Sequence, residues 1–395
     1  MNAPANALSG LPMARPEEVG LSGPALQRLS DVMAREIDAR RAPGAAMLIA
    51  RHGKVAFSRT LGALRPEGPP MPDDAIFRIY SMTKPIVSVA AMTLVEEGRL
   101  TVSDPLEKYI PAFAKTMVGV ENGDALDLVP VKRPITIQDL MRHTSGLTYG
   151  FTGTSKVQAM ILAATSINQE QTSAEFVDAV AAQPLRFQPG EVWEYSLSTD
   201  VLGRVIEVIS GQRLGDFLHD RLFARLGMTD TAFYVPESKR DRMAQPYSFD
   251  LLKAGKIDLI ESREPPRFDF GGGGLVSTLG DYARFLSALS GAGPRILGSR
   301  TIAFMTSDHL GPHVVKNHPL LWPGHGFGLG FAVRTDAGLA PTAGAVGEFF
   351  WGGVAGTVFW VSPRDALFAI LLVQAPENRE FFRQLFRNLV NAAIV

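Results

Sequence analysis

The stretch IYSMTKPIVSVAAMTLVEEG, residues 79–98, carries a serine and a lysine three positions apart at the head of an otherwise apolar segment. Its apolar residues predict a buried helix that begins near Met82. Ser81 then lies at the helix N-terminus, where free backbone N–H groups and the helix dipole favour negative charge. Lys84 lies one turn further along the same face, within reach of the serine oxygen.

This spacing suits a serine nucleophile and its base. A hydroxyl is a poor nucleophile until a neighbouring group takes its proton. A lysine serves as that group only when burial or a nearby positive charge lowers its pKa. A bare S-x-x-K pattern also arises by chance about once in a chain of this composition. The alternative is therefore a Ser81 that caps the helix and a Lys84 that is solvated.

Strand-forming sequence lies on both sides of this helix, near the two ends of the chain. Residues 22–42 predict a helix capped by Ser22, and residues 44–62 predict a β-hairpin that turns at RHGK. Three later runs also predict strands: GFGLGFAVRT, GEFFWGGVAGTVFWVSP and ALFAILLVQ. A helix from Asn378 closes the chain. We therefore predict an antiparallel sheet built from both ends and flanked by terminal helices.

The middle of the chain has helical periodicity from Thr83 to about Leu289. Residues 113–133, which are polar and contain Gly and Pro, are predicted to form a long loop. The sequence thus predicts an α+β fold in one catalytic domain, residues 1–395. Its α/β lobe comprises residues 16–80 and 275–395, and its inserted helical lobe comprises residues 81–274. The groove between the lobes is the expected ligand site.

The composition excludes several classes of function. Lys plus Arg total 39 against 40 for Asp plus Glu, and no stretch concentrates one sign of charge, so nothing indicates nucleic-acid or membrane binding. The absence of cysteine excludes disulfides, thiolate zinc sites and a cysteine nucleophile. No H-E-x-x-H or H-x-H-x-D-H pattern occurs, so we expect no metal and no other cofactor.

No targeting segment is evident in the sequence. The first 20 residues lack a basic stretch followed by an apolar one. The longest apolar run, Ala366–Val373, is far shorter than the roughly 20 residues of a membrane span. We therefore expect a cytoplasmic protein whose partner is a small-molecule substrate. The sequence leaves the oligomeric state open.

A second candidate for chemistry is Tyr195, in FQPGEVWEYSLSTDVLGRVIE (residues 187–207). It follows a Pro-Gly turn and precedes a helix that Ser198 or Thr199 is expected to cap. A hydroxyl there is able to share a proton with Lys84, because an ammonium charge favours the phenolate. The alternative is a tyrosine that merely packs its ring.

A third candidate is FFWGGVAGT, residues 349–357. Consecutive glycines in a strand usually mark the close approach of a ligand or another backbone. The backbone N–H groups of Val354 and Ser81 are candidates for an oxyanion hole in acyl transfer, with Trp351 as a wall of the pocket. The alternative is a β-bulge beside a core tryptophan.

Five motifs follow one another in the order of a known family: SMTK from Ser81, HTSGL from His143, PGEVWEYS with Tyr195, GGGGLVST from Gly271, and WGG from Trp351. From about residue 16 onward, the chain resembles serine hydrolases of the class C β-lactamase and DD-peptidase-like superfamily. Within that group it most resembles the family VIII carboxylesterases. The resemblance implies a β-lactamase/transpeptidase-like fold in two lobes. It also implies acylation of Ser81 and hydrolysis by water, with Lys84 and Tyr195 sharing the proton transfers.

Two departures from the β-lactamase pattern concern the substrate. The usual Y-x-N reads Tyr195-Ser196-Leu197, and the usual K-T-G is replaced by Trp351 and two glycines. An apolar group thus stands where an amide would hold a β-lactam side chain, and an aromatic wall replaces a cation suited to a carboxylate. Both changes favour a neutral, apolar ester.

We therefore expect a cofactor-independent serine esterase for short- to medium-chain carboxylic esters. Ser81 is the expected nucleophile, Lys84 and Tyr195 are the base and acid pair, and the N–H groups of Ser81 and Val354 form the oxyanion hole. The expected pocket residues are Trp351, Gly352, Gly353, Leu197, Tyr149 and Phe350. Alternatives on the same residues are a β-lactamase, a DD-peptidase or D-aminopeptidase, and an acyltransferase. A silent binding protein is the alternative of another class.

Other signals carry no catalytic assignment. His143 is expected to fix a loop through hydrogen bonds, and His318 lies in a polar loop. The run GGGG from Gly271 is not a phosphate loop, because no G-K-[ST] follows it. It is expected to let the backbone pass close to the cleft. No G-x-S-x-G occurs, so an α/β-hydrolase nucleophile elbow has no support.

Overall fold

The computed structural model describes residues 8–165, 170–250, 259–316 and 318–395. In chain order, the strands of these residues are β1 (Gly44–Arg51), β2 (Lys54–Gly62), β3 (Phe77–Arg78), β4 (Met117–Asn122), β5 (Ala125–Pro130), β6 (Val276–Ser277), β7 (His325–Phe327), β8 (Ala332–Arg334), β9 (Phe349–Gly352), β10 (Val358–Ser362) and β11 (Leu367–Val373).

The helices of the same residues are α1 (Gly23–Asp38), α2 (Thr83–Glu96), α3 (Ile137–Met141), α4 (Lys156–Ala164), α5 (Ser173–Ala181), α6 (Ser198–Ser210), α7 (Leu214–Leu218), α8 (Ala224–Leu226), α9 (Leu279–Leu289), α10 (Ser299–Met305) and α11 (Arg379–Asn391). A π-helical segment, His219–Phe223, joins α7 to α8.

The main sheet draws its strands from both ends of the chain, as predicted. Within the described residues it has seven antiparallel strands in the order β2-β1-β11-β10-β9-β8-β7. Strand β1 lies beside β11, with Ala45 opposite Val373 and Arg51 opposite Leu367. The β1–β2 hairpin turns at His52 and Gly53, which both have positive φ, as a tight hairpin turn requires. These findings confirm the α+β fold class.

The terminal helices α1 and α11 pack together against one face of the sheet. A separate hydrophobic cluster fills this layer, with Leu29 and Met33 of α1 and Phe382 and Phe386 of α11 buried against the strands. Ser22 caps α1 by accepting a hydrogen bond from the backbone N–H of Ala25 at 3.3 Å, as predicted.

The predicted nucleophile helix α2 runs through the interior on the opposite face of the sheet. Every residue from Thr83 to Leu94 is buried, which explains why the helix is apolar on all sides. Helices α6 and α7 pack against α2, and α9 packs against α8 and against strands β1 and β11. Among the described residues, each helix is too short or too polar to span a bilayer.

Two expectations about local structure were wrong. Residues 113–133 are not a loop throughout: β4 and β5 form a hairpin in which Asn122 pairs with Ala125 around Gly123. The Gly-Asp pair at residues 123–124, between two runs that alternate in polarity, was the signal that predicts it. The predicted cap of α6 is also absent. Leu197 precedes the helix without a side-chain cap bond, because the Ser198 hydroxyl pairs with two other serines instead.

Candidate active site

The backbone just before Ser81 adopts a strained conformation. Strand β3 ends at Arg78, and a 3₁₀ turn, Tyr80–Met82, leads into α2. Tyr80 has φ of 45°, a left-handed value that side chains other than glycine rarely adopt. Its hydroxyl accepts a hydrogen bond from the backbone N–H of Ile260 at 3.1 Å, which helps to hold it there. Strain of this kind clusters at functional sites.

Lys84 lies in the first turn of α2 and is only 1% exposed. Its Nζ atom contacts three oxygens: Ser81 Oγ at 3.4 Å, the Tyr149 hydroxyl at 3.1 Å and the Gly272 carbonyl at 2.6 Å. Three acceptors match the three donors of an ammonium group. A neutral amine would keep two of these bonds and direct its lone pair at the Ser81 hydroxyl. The same geometry therefore suits both protonation states.

The two tyrosines occupy different positions around Lys84. The expected partner, Tyr195, places its ring centroid 4.5 Å from Lys84 Nζ, and its hydroxyl accepts a hydrogen bond from Trp351 Nε1 at 3.2 Å. The hydroxyl that bonds to Lys84 is that of Tyr149, which we had expected only to line the pocket. Burial raises the pKa of Tyr149 well above its usual value, and the nearby Asp200 adds to this shift. Tyr149 is therefore a neutral phenol.

The glycine-rich loop before β6 links Lys84 to a buried carboxyl group. The backbone N–H of Gly272 donates to Asp200 Oδ1 at 2.6 Å, while the carbonyl of the same residue accepts from Lys84. A Cβ on Gly272 would lie 2.5 Å from Asp200 Oδ2, so the position requires glycine. Burial raises the pKa of Asp200 to about 7, against the opposing charge of Lys84. The expectation that GGGG passes close to the cleft is confirmed.

The turn between β9 and β10 packs directly against the residues that precede Ser81. A Cβ on Gly353 would lie 2.4 Å from the Ile79 carbonyl oxygen, which is a close approach that only glycine permits. The Thr357 hydroxyl donates to the same oxygen at 3.3 Å. The glycines therefore end β9 at a backbone contact, and they bring Val354 to the cavity that Ser81 lines.

A cavity of about 340 Å³ opens beside Ser81, with mostly aromatic and aliphatic walls. It brings together most of the residues predicted from the sequence: Ser81, Tyr149, Tyr195, Phe350, Trp351, Gly352 and Val354. Two predicted pocket residues do not line it. Leu197 is 2% exposed and packs into the main hydrophobic core as the chain turns into α6. Gly353 lies behind the wall, against Ile79.

His318 lines the cavity, although nothing in the sequence indicated a role for it there. Its ring centroid lies 5.4 Å from that of Trp193 and 6.5 Å from that of Tyr195, and its Nδ1 atom accepts from the backbone N–H of Leu320 at 3.2 Å. Burial lowers the pKa of His318, so the ring adds no charge to the cavity at neutral pH. His143 does fix a loop, through a hydrogen bond with Ser196 at 3.2 Å.

The chain is similar to known proteins along nearly its whole length. The Beta-lactamase family model matches residues 29–394. Esterase EstB of Burkholderia gladioli is 31% identical over 364 residues, which cover 87% of this chain and 89% of EstB. Lovastatin esterase of Penicillium rubens is 30% identical over 345 residues, which cover 82% and 85% of the two chains.

This chain also has the same fold as a protein of known structure. EstCE1, a hydrolase with promiscuous acyltransferase activity, is 28% identical and superposes with a TM-score of 0.80. The superposition covers 93% of this chain and 98% of EstCE1.

Proposed function

Because this chain belongs to the beta-lactamase family, we propose that it is a serine esterase that forms an acyl-enzyme on Ser81. Its substrates are short- to medium-chain carboxylic esters. The observation that carries the proposal is the contact of Ser81 Oγ with the buried Lys84 Nζ at the wall of an apolar cavity. Two relatives at 30% identity or more are esterases, which supports the same reaction class.

Acylation begins with the transfer of the Ser81 proton to the neutral Lys84 amine. The serine oxygen then attacks the ester carbonyl carbon, and the carbonyl oxygen becomes negatively charged. The backbone N–H groups of Ser81 and Val354 stabilise this oxyanion. As the C–O bond breaks, Tyr195 donates its hydroxyl proton to the leaving alcohol, and Lys84 returns the proton that it gained to Tyr195. Water then repeats the sequence on the acyl-enzyme and releases the acid.

The hydrogen bonds around the two tyrosines suggest a division of roles. Tyr149 bonds to Lys84 and so tunes and orients the base. Tyr195 accepts its hydrogen bond from Trp351, which leaves its own O–H proton free to point into the cavity. We assign to Tyr195 the donation of a proton to the leaving alcohol, and to Lys84 the removal of the proton from Ser81.

The walls nearest Tyr195 favour a neutral ester over an anionic β-lactam, although charged side chains of α11 (Arg379, Glu380, Arg383 and Arg387) also line the cavity. Trp351 replaces the cation of the K-T-G motif, and its indole is held by the bond to Tyr195. His318 on the same wall is neutral near pH 7, because burial lowers its pKa. An apolar acyl chain gains about 0.8 kcal/mol for each methylene group buried against such walls.

Comparing two substrates tests this function. We expect turnover of p-nitrophenyl butyrate to exceed that of a chromogenic cephalosporin by a wide margin, and Ser81→Ala to abolish the ester activity. Ser88→Ala is the matched control on the same helix. Its hydroxyl is buried without a hydrogen-bond partner among the described residues, so its loss should leave turnover unchanged. If the protein turns over the cephalosporin faster than the ester, it is a β-lactamase. Ester activity that survives in Ser81→Ala would refute the mechanism.

Acyl transfer to an alcohol is a second candidate activity. EstCE1, which shares the fold at 28% identity, has promiscuous acyltransferase activity. An acyl-enzyme in an apolar cavity favours an apolar alcohol over water as the acceptor. To test for acyl transfer, the protein is given p-nitrophenyl butyrate and 1-butanol. Gas chromatography then compares the butyl butyrate formed with the butyric acid released, and butyl butyrate in the products would show acyl transfer. A DD-peptidase or D-aminopeptidase would instead cleave D-alanyl peptides in parallel assays.

The proposed partner is a small-molecule ester, and the proposed location is the cytoplasm. With 39 basic and 40 acidic residues, the chain has almost no net charge with which to attract nucleic acid or an anionic membrane. Fractionation of cells that produce the protein, followed by esterase assay of each fraction, tests the location.

A further inference from the structure

The C-terminal helix α11 contacts the proposed oxyanion hole through one side chain, Arg383. The side chain is 15% exposed, and its Nε atom is buried with no hydrogen-bond partner among the described residues. The guanidinium lies against Gly352, where a Cβ would approach Arg383 Nη2 to 2.7 Å. The glycine in the WGG motif therefore makes room for an arginine that lies 31 positions later in the sequence.

The donors of Arg383 are directed mainly at backbone oxygens. Nη2 donates to the Gly353 carbonyl at 2.5 Å and to the Thr357 carbonyl at 3.4 Å. Nη1 donates to Glu380, a partly exposed carboxylate one turn earlier on the same helix, at 2.8 Å. Arg383 therefore holds both ends of the turn that carries Val354.

The Gly353 carbonyl and the Val354 N–H belong to the same peptide group. In a trans peptide the two point in opposite directions. Because Arg383 holds the oxygen, the Val354 N–H points to the opposite side of the turn from Arg383, and Val354 lines the cavity together with Ser81. A charged donor at the oxygen also polarises the peptide and strengthens its N–H as a donor. The backbone N–H of Gly356 donates to the same oxygen at 2.9 Å and adds to both effects.

We propose that Arg383 is a positioning residue of the oxyanion hole, which orients and polarises the Gly353–Val354 peptide for the transition state. This inference rests on the proposed function, because an oxyanion forms at Val354 only if an acyl group is transferred through Ser81. Arg383 is among the residues that line the cavity, but its hydrogen-bonded donors are directed at Gly353, Thr357 and Glu380, so in this proposal it does not bind the substrate. It acts through the peptide that does.

The test compares Arg383→Met and Arg383→Lys with a matched control, Arg334→Met. Arg334 is also a buried arginine that donates to backbone carbonyls, those of Ala337 and Thr342, but it lies on β8 away from the turn. Losing one oxyanion donor outright costs about 10²–10³ in kcat. Arg383→Met weakens a donor without removing it, so we expect kcat for p-nitrophenyl butyrate to fall about tenfold, with KM changed less than about twofold. Arg383→Lys should recover part of the loss, since it keeps the charge and one donor.

Infrared spectroscopy supplies a readout that a purely structural role would not move. An acyl-enzyme formed from a slowly deacylating ester with a ¹³C-labelled carbonyl reports the hydrogen bonds to that carbonyl oxygen. Weaker hydrogen bonds raise its stretching frequency, so the frequency in Arg383→Met should exceed that in the wild type and in Arg334→Met. If Arg383→Met does not fold, Arg383→Lys gives the same comparison on a smaller scale.

The outcomes separate this inference from the proposed function. Unchanged frequency and a kcat equal to that of Arg334→Met would overturn the role of Arg383, even though an acyl-enzyme forms on Ser81. Failure of the wild type to form any acyl-enzyme would overturn the proposed function itself.

Discussion

At the residue scale, Lys84 is held by groups that lie far apart in the sequence. Ser81 comes from the same helix start, Tyr149 from the loop after HTSGL, and Gly272 from the glycine-rich loop. The motif SMTK predicts only the first of these contacts. The others depend on how α2, α6 and two loops pack, which no local pattern specifies. Tyr149 was found from the sequence as an aromatic near the cleft, but its bond to the base was not.

The division of roles between the two tyrosines predicts different substrate dependence. Tyr195→Phe removes the proposed proton donor to the alcohol, so kcat/KM should fall more for ethyl butyrate than for p-nitrophenyl butyrate, whose leaving group needs no proton. Tyr149→Phe removes an oxygen bonded to Lys84 and should slow both esters alike, by about 10²-fold or more. Steady-state kinetics with both esters measures this, and Tyr234→Phe at the surface is the control. The opposite pattern would exchange the two roles.

The buried Asp200 makes stability depend on pH. Because burial raises the pKa of Asp200 to about 7 in the folded state, the folded protein holds a proton that the unfolded chain releases above about pH 4. The contribution of Asp200 to the free energy of unfolding is thus most favourable below pH 4, and it is lost as the pH rises towards 7.

Asp200→Asn removes this dependence and keeps an oxygen for the Gly272 N–H. From pH 5 to pH 8 the variant should lose less free energy of unfolding than the wild type, by an amount on the order of a few kcal/mol. Urea denaturation at the two pH values measures the difference. Equal losses in both proteins would show that Asp200 does not titrate in this range.

At the scale of elements, periodicity predicted the parts of the fold that bury one consistent face. The β1–β2 hairpin, helix α1 with its Ser22 cap, the three late strand segments and α11 all follow from apolar spacing and turn residues. The β4–β5 hairpin was missed because its polar, partly exposed strands resemble a loop in composition. The cap of α6 was wrong because Ser198, one of the two residues expected to cap it, bonds instead to Ser145 and Ser196 in the core.

The turn between β9 and β10 is packed so closely that one added methyl group at Gly353 is expected to displace it. Gly353→Ala would place a Cβ 2.4 Å from the Ile79 carbonyl, so the turn that carries Val354 must move. We expect kcat for p-nitrophenyl butyrate to fall by about 10²-fold, the order of a lost oxyanion donor. Gly338→Ala is the control, because its Cβ would meet nothing closer than 3.7 Å. Near-normal kcat in Gly353→Ala would mean that this turn does not form the oxyanion hole.

At the scale of the whole molecule, the sheet built from both ends holds the two halves of the site in fixed relation. The start of α2 follows β3, while the turn with Val354 joins β9 to β10. The order of five motifs predicted which residues meet, although no single motif did so. Arg383 and Asp200 could not be predicted, because an arginine on an amphipathic helix and an acid in a first helical turn are both ordinary surface features.

The size of the cavity sets the range of acyl chains. At about 340 Å³ it lies near the lower end of typical ligand sites. Each methylene that it buries adds about 0.8 kcal/mol, or about fourfold, to kcat/KM until the space is filled. Among p-nitrophenyl esters, kcat/KM should therefore rise from acetate to butyrate and be low for palmitate. A steady rise through palmitate would show that the acyl chain binds outside this cavity.

The most direct measurement is the mass of the intact protein after brief reaction with p-nitrophenyl butyrate and acid quenching. Our proposal predicts that the wild type gains the mass of one butyryl group and that fragmentation places it on Ser81. Ser81→Ala should gain nothing, while Ser88→Ala should behave as the wild type. A butyryl group on another residue, or an equal adduct in Ser81→Ala, would contradict Ser81 as the nucleophile.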